Sequence, residues 1–109
     1  MARETELVKA ILDYLVLRGV FAWRQNQGGV TREYKGRKRF VRFARVDGIS
    51  DIIGILPDGR FLALEAKVGN NKVTVSQSGF LGRIQDSGGV ARVVRSVQDV
   101  IDVLQENTR

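Results

Sequence analysis

The sequence predicts a single α/β domain spanning residues 1–109, and three patterns predict it. Apolar residues recur at helical spacing between Glu4 and Arg18. Two short apolar runs flank Pro57-Asp58-Gly59 as a hairpin would. A β-branched run, Val90 to Val94, is followed by an amphipathic stretch from Val97 to Gln105. The resulting order is helix, strands, helix, strand, helix, with no repeat, linker or low-complexity segment.

In the first helix Leu7, Val8, Ala10, Ile11, Leu12, Leu15 and Val16 mark one apolar face, and Gly19 ends it. Val20 to Arg24 reads as a short strand, with Trp23 expected in the core. Asn26 to Gly36 is polar and glycine-bearing, which predicts a loop or an irregular hairpin. The alternation Phe40-Val41-Arg42-Phe43 suggests a strand end or an extended arm. Ile52 to Leu56 and Phe61 to Ala66 are the hairpin strands, and Gly69-Asn70-Asn71 is a turn. A second helix is expected from about Val75 to Asp86, with Phe80 and Ile84 facing the core. Gly88-Gly89 then breaks the chain before the last strand and helix.

Composition narrows the chemistry. The 109 residues include no cysteine and no histidine, so thiolate zinc sites, disulfides and Ser-His-Asp triads are excluded. A metal in this chain would have oxygen ligands, which suits Mg²⁺ or Mn²⁺. No apolar run is long enough to span a membrane, and Met1-Ala2-Arg3-Glu4 does not open like a signal peptide, so a cytoplasmic location is expected. The net charge of +6 favours a polyanionic partner. Arg32, Lys35, Arg37, Lys38, Arg39, Arg42 and Arg45 crowd into one segment opposed only by Glu33, with Tyr34, Phe40 and Phe43 interleaved. A solvated loop would also carry such charge. The density and aromatic content point instead to sequence-tolerant contact with nucleic-acid phosphates.

The hairpin carries the sharpest reading. A three-residue Pro57-Asp58-Gly59 loop sets Leu56 opposite Arg60, and pairing then zips back to place Asp51 opposite Glu65. Opposed residues share a sheet face, and Lys67, two beyond Glu65, points the same way. A two-residue turn would slip the register and separate them. Paired carboxylates need a cation or a shared proton. Lys67 could serve in a simple surface ion pair. The other reading is a metal held by Asp51, Glu65 and the Ala66 backbone carbonyl, activating water against a phosphoryl group, with Lys67 orienting the water and stabilising charge.

The chain resembles the stand-alone VRR-NUC domains (virus-type replication-repair nucleases) of the PD-(D/E)xK nuclease superfamily. The resemblance runs through Glu4, Trp23-Arg24-Gln25-Asn26, Gly48-Ile49-Ser50-Asp51, Leu64-Glu65-Ala66-Lys67, Gln77 with Phe80-Leu81, and Gly88-Gly89-Val90-Ala91-Arg92-Val93-Val94. It implies a restriction-endonuclease-like core, a mixed β-sheet flanked by helices. It also implies Mg²⁺- or Mn²⁺-dependent DNA hydrolysis by Asp51, Glu65 and Lys67, with Glu4 and Gln77 as accessory site residues. A homodimer acting on branched DNA such as four-way junctions, in a bacterial or phage-infected cell, is implied as well. Ser50 stands where the superfamily often has proline.

The accessory residues also have plainer readings. Glu4 suits the positive end of a helix dipole. Gln77 could close a capping box with Thr74. Arg24 and Asn26 could bind a phosphate or satisfy backbone groups at a strand end. Two rival functions stay open: a nuclease-fold nucleic-acid-binding module without catalytic activity, and a small basic RNA- or ribosome-associated protein. Neither membrane attachment nor a small-molecule cofactor is expected.

Overall fold

The computed structural model describes residues 3–25, 29–42 and 46–108; within 29–42 it describes the side chains of Glu33, Lys35, Arg37, Lys38 and Arg39. Helix α1 covers Arg3–Leu17 and buries Val8, Ile11 and Leu15, the inward stripe of its apolar face. It ends in a Schellman motif. Val20 N donates to Leu15 O (2.9 Å), Gly19 N donates to Val16 O (3.0 Å), and Val20 packs into the same core as Leu15. This tight exit turns the chain straight back into strand β1, Phe21–Arg24. The start of α1 therefore lies at the same end of the sheet as the finish of β1.

Strands β2 (Gly29–Tyr34) and β3 (Arg37–Arg42) follow, then β4 (Ile52–Ile55), β5 (Phe61–Ala66), helix α2 (Val75–Asp86), strand β6 (Val90–Val94) and helix α3 (Val97–Glu106). The main sheet has the order β1-β4-β5-β6. β1–β4 and β4–β5 are antiparallel, and β5–β6 is parallel. This is the mixed sheet flanked by helices that the family resemblance implies.

Alternation along the strands assigns the helices to opposite faces. Ile52, Leu62, Leu64, Val90 and Val94 pack with α1 and α3. Ile53, Ala63 and Ala91 pack with Leu81 of α2, joined by the half-buried Phe80 and Ile84. Helix α2 contacts β5 and β6, so it roofs one half of its face of the sheet.

The β4–β5 register matches the three-residue loop. Ile55 pairs with Phe61 and Ile52 with Leu64. Leu56 N donates to Arg60 O at 2.9 Å, and Gly59, at φ 91°, donates its N–H to Leu56 O.

Two expectations need correction. The polar stretch expected to be a loop or irregular hairpin is a regular antiparallel ribbon, β2–β3, from Gly29↔Arg42 to Tyr34↔Arg37. Its turn is Lys35-Gly36, both at positive φ, the geometry that matches strand twist in two-residue hairpins. Among the described residues the ribbon pairs with no strand of the main sheet. Second, Trp23 is not a core residue. It is 39% exposed, because β1 is an edge strand on the half of the sheet that α2 leaves uncovered.

Candidate active site

The register fixes which side chains meet. Extending the β4–β5 pairing one step beyond Ile52↔Leu64 sets Asp51 opposite Glu65. Extending β1–β4 likewise beyond Arg24↔Ile52 brings Gln25 into the same row. Backbone bonds hold the row: Gln25 N donates to Asp51 O at 2.7 Å, and Lys67 N donates to Val94 O at 3.0 Å. Ala66 N donates across the hairpin to Asp51 Oδ2 at 2.9 Å, which aims the carboxylate toward β5. Ser50, fully buried, donates through its hydroxyl to Ile52 O at 3.0 Å, so a polar residue is satisfied just before the acid.

Glu65 is the centre of the site. It is 1% exposed, and a buried carboxylate needs partners. Lys67 Nζ lies 3.7 Å from its Oε2, and Gln77 Nε2 donates to the same oxygen at 3.3 Å. Its other oxygen, Oε1, is buried without a hydrogen-bond partner. One carboxylate oxygen from each of Glu4, Asp51 and Glu65 lies within 4.8 Å of the others. Three acids thus converge where Lys67 supplies the nearby cation. Glu65 is accordingly pushed up to about 8, first by burial, then by the Asp51 carboxyl; Lys67 opposes the shift and Glu4 adds slightly to it.

Helix α1 supplies Glu4 because its first turn sits at the site end of the sheet. Helix α2 supplies Gln77 through its cap. Thr74 Oγ1 accepts from Gln77 N (3.1 Å), and Gln77 Oε1 accepts from Thr74 N (2.9 Å), completing a capping box. The two readings of Gln77 coexist: Oε1 closes the cap while Nε2 reaches Glu65. The helix is brought close by Gly48, which lies at φ +73° with no room for a Cβ beside Ser76 O and Gln77 N.

The metal-binding candidates Glu4, Asp51 and Glu65 are therefore gathered, with Lys67 and Gln77 against Glu65 and Ala66 donating its N–H to Asp51. Arg24 is exposed at the site end of β1, and strand parity puts it on the opposite sheet face from Trp23. Lys35, Arg37, Lys38 and Arg39 are exposed on the ribbon. Asn26 and Arg45 lie outside the described residues, as do the side chains of Arg32 and Arg42. Sequence reasoning missed Gln25. Its place in the site row was available from the spacing back to Trp23, but that required knowing that β1 pairs with β4.

The acids fit a hard divalent cation. Every donor is an oxygen, one is buried and orphaned, and the like charges they would carry together favour an ion between them. No family model and no curated protein matches the sequence. A solved structure described as a VRR_NUC domain matches with a TM-score of 0.64 and 23% sequence identity, covering 97% of this chain and 97% of that one. The fold is that of a VRR_NUC domain. In this VRR_NUC fold the acidic cluster lies where β1, β4 and β5 share an end and the first turns of α1 and α2 approach them.

Proposed function

We propose that the chain is a metal-dependent deoxyribonuclease that hydrolyses phosphodiester bonds in branched DNA. The observation that carries this reading is the buried Glu65: its Oε1 has no hydrogen-bond partner, one of its oxygens lies within 4.8 Å of carboxylate oxygens from Asp51 and Glu4, and Lys67 Nζ lies 3.7 Å from its Oε2. Asp51, Glu65, Glu4 and the Ala66 carbonyl would hold Mg²⁺ or Mn²⁺. Such an ion polarises a phosphoryl oxygen and acidifies bound water.

The protein's own groups do the remaining work. Asp51 stays aimed inward through the Ala66 N–H. Gln77 fixes the Glu65 carboxylate from above while its carbonyl is engaged by Thr74 N, so the amide cannot flip without losing a bond. Lys67, 12% exposed, is placed to orient the attacking water and to stabilise negative charge as the phosphorane develops. Arg24, Asn26 and the basic residues from Arg32 to Arg45 bind backbone phosphates. A two-stranded ribbon is also of a size that enters the major groove of duplex DNA. The branched substrate and a homodimeric assembly rest on the resemblance to small stand-alone VRR-NUC domains. Two sites at a fixed separation would suit a symmetric junction.

The test is incubation of the purified protein with Mg²⁺ or Mn²⁺ and single-stranded, flap, nicked and four-way DNA, with mass measured on the same sample. Cleavage that needs the metal and favours branched DNA is expected. Binding without cleavage in either metal would leave a non-catalytic DNA-binding module.

A further inference from the structure

Beyond the acids, the same sheet face carries an apolar surface that the site does not use. Pairing organises it in rows. Phe21, Ile55 and Phe61 form one row across β1, β4 and β5; Trp23, Ile53 and Ala63 form the next; Gln25, Asp51 and Glu65 follow. Helix α2 roofs the β5–β6 side and leaves the β1 side open. Phe21 is 69% exposed and Trp23 39%, while Ile55 and Phe61 are also partly open. Exposed apolar residues are ordinary when scattered, but several neighbours on one face mark a contact surface.

We propose that Trp23 is a stacking platform for an unpaired nucleobase adjacent to the scissile phosphate. The inference deepens the nuclease reading and rests on it. Its basis is position. Trp23 lies one row from Asp51 and Glu65 and one strand from Asp51, so its Cα is about 8 Å from that of Asp51 by ordinary strand geometry. The nucleotide next to a phosphate held at the acids can reach it. The ring is also positioned rather than loose. Its centroid is 5.3 Å from that of Phe21, with planes tilted at 50°, and its Nε1–H points to Gln25 Oε1 at 3.4 Å. Gln25 in turn is tied through its backbone to Asp51. The aromatic surface and the acids thus belong to one braced unit.

The net charge of the chain favours DNA over a second copy on this surface. A net charge of +6 attracts polyanions, and Arg24 is exposed at the same end of β1 on the other face of the sheet. Every base offers a π-face, so stacking is sequence-tolerant but requires an unpaired base. A platform here therefore selects single-stranded flanks over continuous duplex. Selectivity for branched DNA that carries a single-stranded flank would arise from this contact, without any base-edge readout.

The chain has one tryptophan, so its fluorescence reports this contact directly. The protein is titrated in Ca²⁺, in place of the catalytic metal, with a short single strand, a duplex bearing a single-stranded flank, and a blunt duplex. Emission should be quenched by the first two and not by the third. Trp23→Ala should weaken binding of flank-bearing DNA about tenfold and leave blunt-duplex binding unchanged. Trp23→Phe should keep most of the affinity. Unchanged emission at saturating flank-bearing DNA would overturn the proposal, as would equal weakening of all three ligands by Trp23→Ala. An emission shift that tracks protein concentration, with loss of dimer mass in Trp23→Ala, would assign the surface to a second copy instead. Cleavage in Mg²⁺ is scored separately. Cleavage without quenching rejects the platform alone, whereas quenching without cleavage in any metal rejects the nuclease reading and leaves base binding standing.

Discussion

Asp51 receives a hydrogen bond across the hairpin: the Ala66 N–H donates to its Oδ2 at 2.9 Å. The carboxylate thus has a structural duty as well as a proposed metal-binding one, and two substitutions separate them. Asp51→Asn keeps an oxygen for the Ala66 N–H and removes the charge. It should retain near wild-type thermal stability, lose metal-dependent cleavage and still bind DNA. Asp51→Ala also strands the Ala66 N–H and should cost a further ~1–3 kcal/mol in urea unfolding. Cleavage by Asp51→Asn at the wild-type rate would remove the mechanism.

Glu65 gives a pH prediction. Its folded value, about 8, lies above the usual 4.5, so the folded metal-free protein holds this proton more tightly than the unfolded chain does. The associated stability is fully present below pH 4.5 and declines as pH rises toward 8, where the folded carboxyl ionises. Metal-free melting should therefore fall across that window, and Glu65→Gln should flatten the fall. Metal binding must displace the proton, so Mg²⁺ affinity should rise up to about tenfold per pH unit below 8. A pH-independent Mg²⁺ affinity, measured by calorimetry between pH 6 and 8, would contradict the assignment.

Much of this site was legible because one local feature fixes it. The length of the Pro57-Asp58-Gly59 loop sets the register, and the register sets Asp51 against Glu65. The alternation that puts Leu64 and Ala66 under α1 and α3 leaves Glu65 and Lys67 on the other face. Trp23 was misplaced for a tertiary reason. Hydrophobicity marks a side chain as able to be buried, but cover depends on where α2 lies, and α2 packs over β5 and β6. The ribbon was underestimated because Thr31-Arg32-Glu33-Tyr34 lacks the apolar alternation of a half-buried strand. Its strands pair with each other and not with the main sheet, so no such alternation is required. The orphaned oxygen of Glu65 was beyond sequence, because burial at 1% depends on every packed layer around it.

Gln77 joins a cap to the site, and its two ends can be cut separately. Thr74→Ala removes the hydroxyl acceptor at the start of α2 and should cost about 1 kcal/mol. Turnover should change little, because Gln77 Nε2 can still reach Glu65. Gln77→Glu keeps an oxygen for Thr74 N but sets an acid against the Glu65 carboxyl. It should lower turnover at neutral pH and preserve helix stability. Comparable turnover in Gln77→Glu and the wild type would make Gln77 a capping residue only.

The ribbon should contribute affinity without contributing to catalysis. Arg37, Lys38 and Arg39 are exposed on β3, and Arg39 pairs directly with Arg32 of β2. Replacing Arg37, Lys38 and Arg39 with glutamine should weaken binding to duplexes of any sequence and reduce the salt slope by about 3. Melting temperature and Mg²⁺ affinity should be unchanged. An unaltered salt slope would show that the ribbon does not meet the phosphates.

Gly48 tests how the site is assembled from separate elements. A Cβ built there would fall 2.2 Å from Ser76 O and 2.6 Å from Gln77 N, both backbone atoms of α2's first turn, and its φ of +73° is unfavourable for any L side chain. Neither strain can be relieved by a side-chain rotation. The loop before Asp51 or the start of α2 must move, and either movement separates Gln77 from Glu65. Gly48→Ala should therefore destabilise the fold by several kcal/mol, as overpacking against fixed backbone does. Where enough folded protein survives at low temperature, its turnover should fall further than that of Gln77→Ala, because the displacement reaches Asp51 as well. Near wild-type melting and turnover in Gly48→Ala would mean that this loop and α2 are not in contact, and the placement of Gln77 would fall with it.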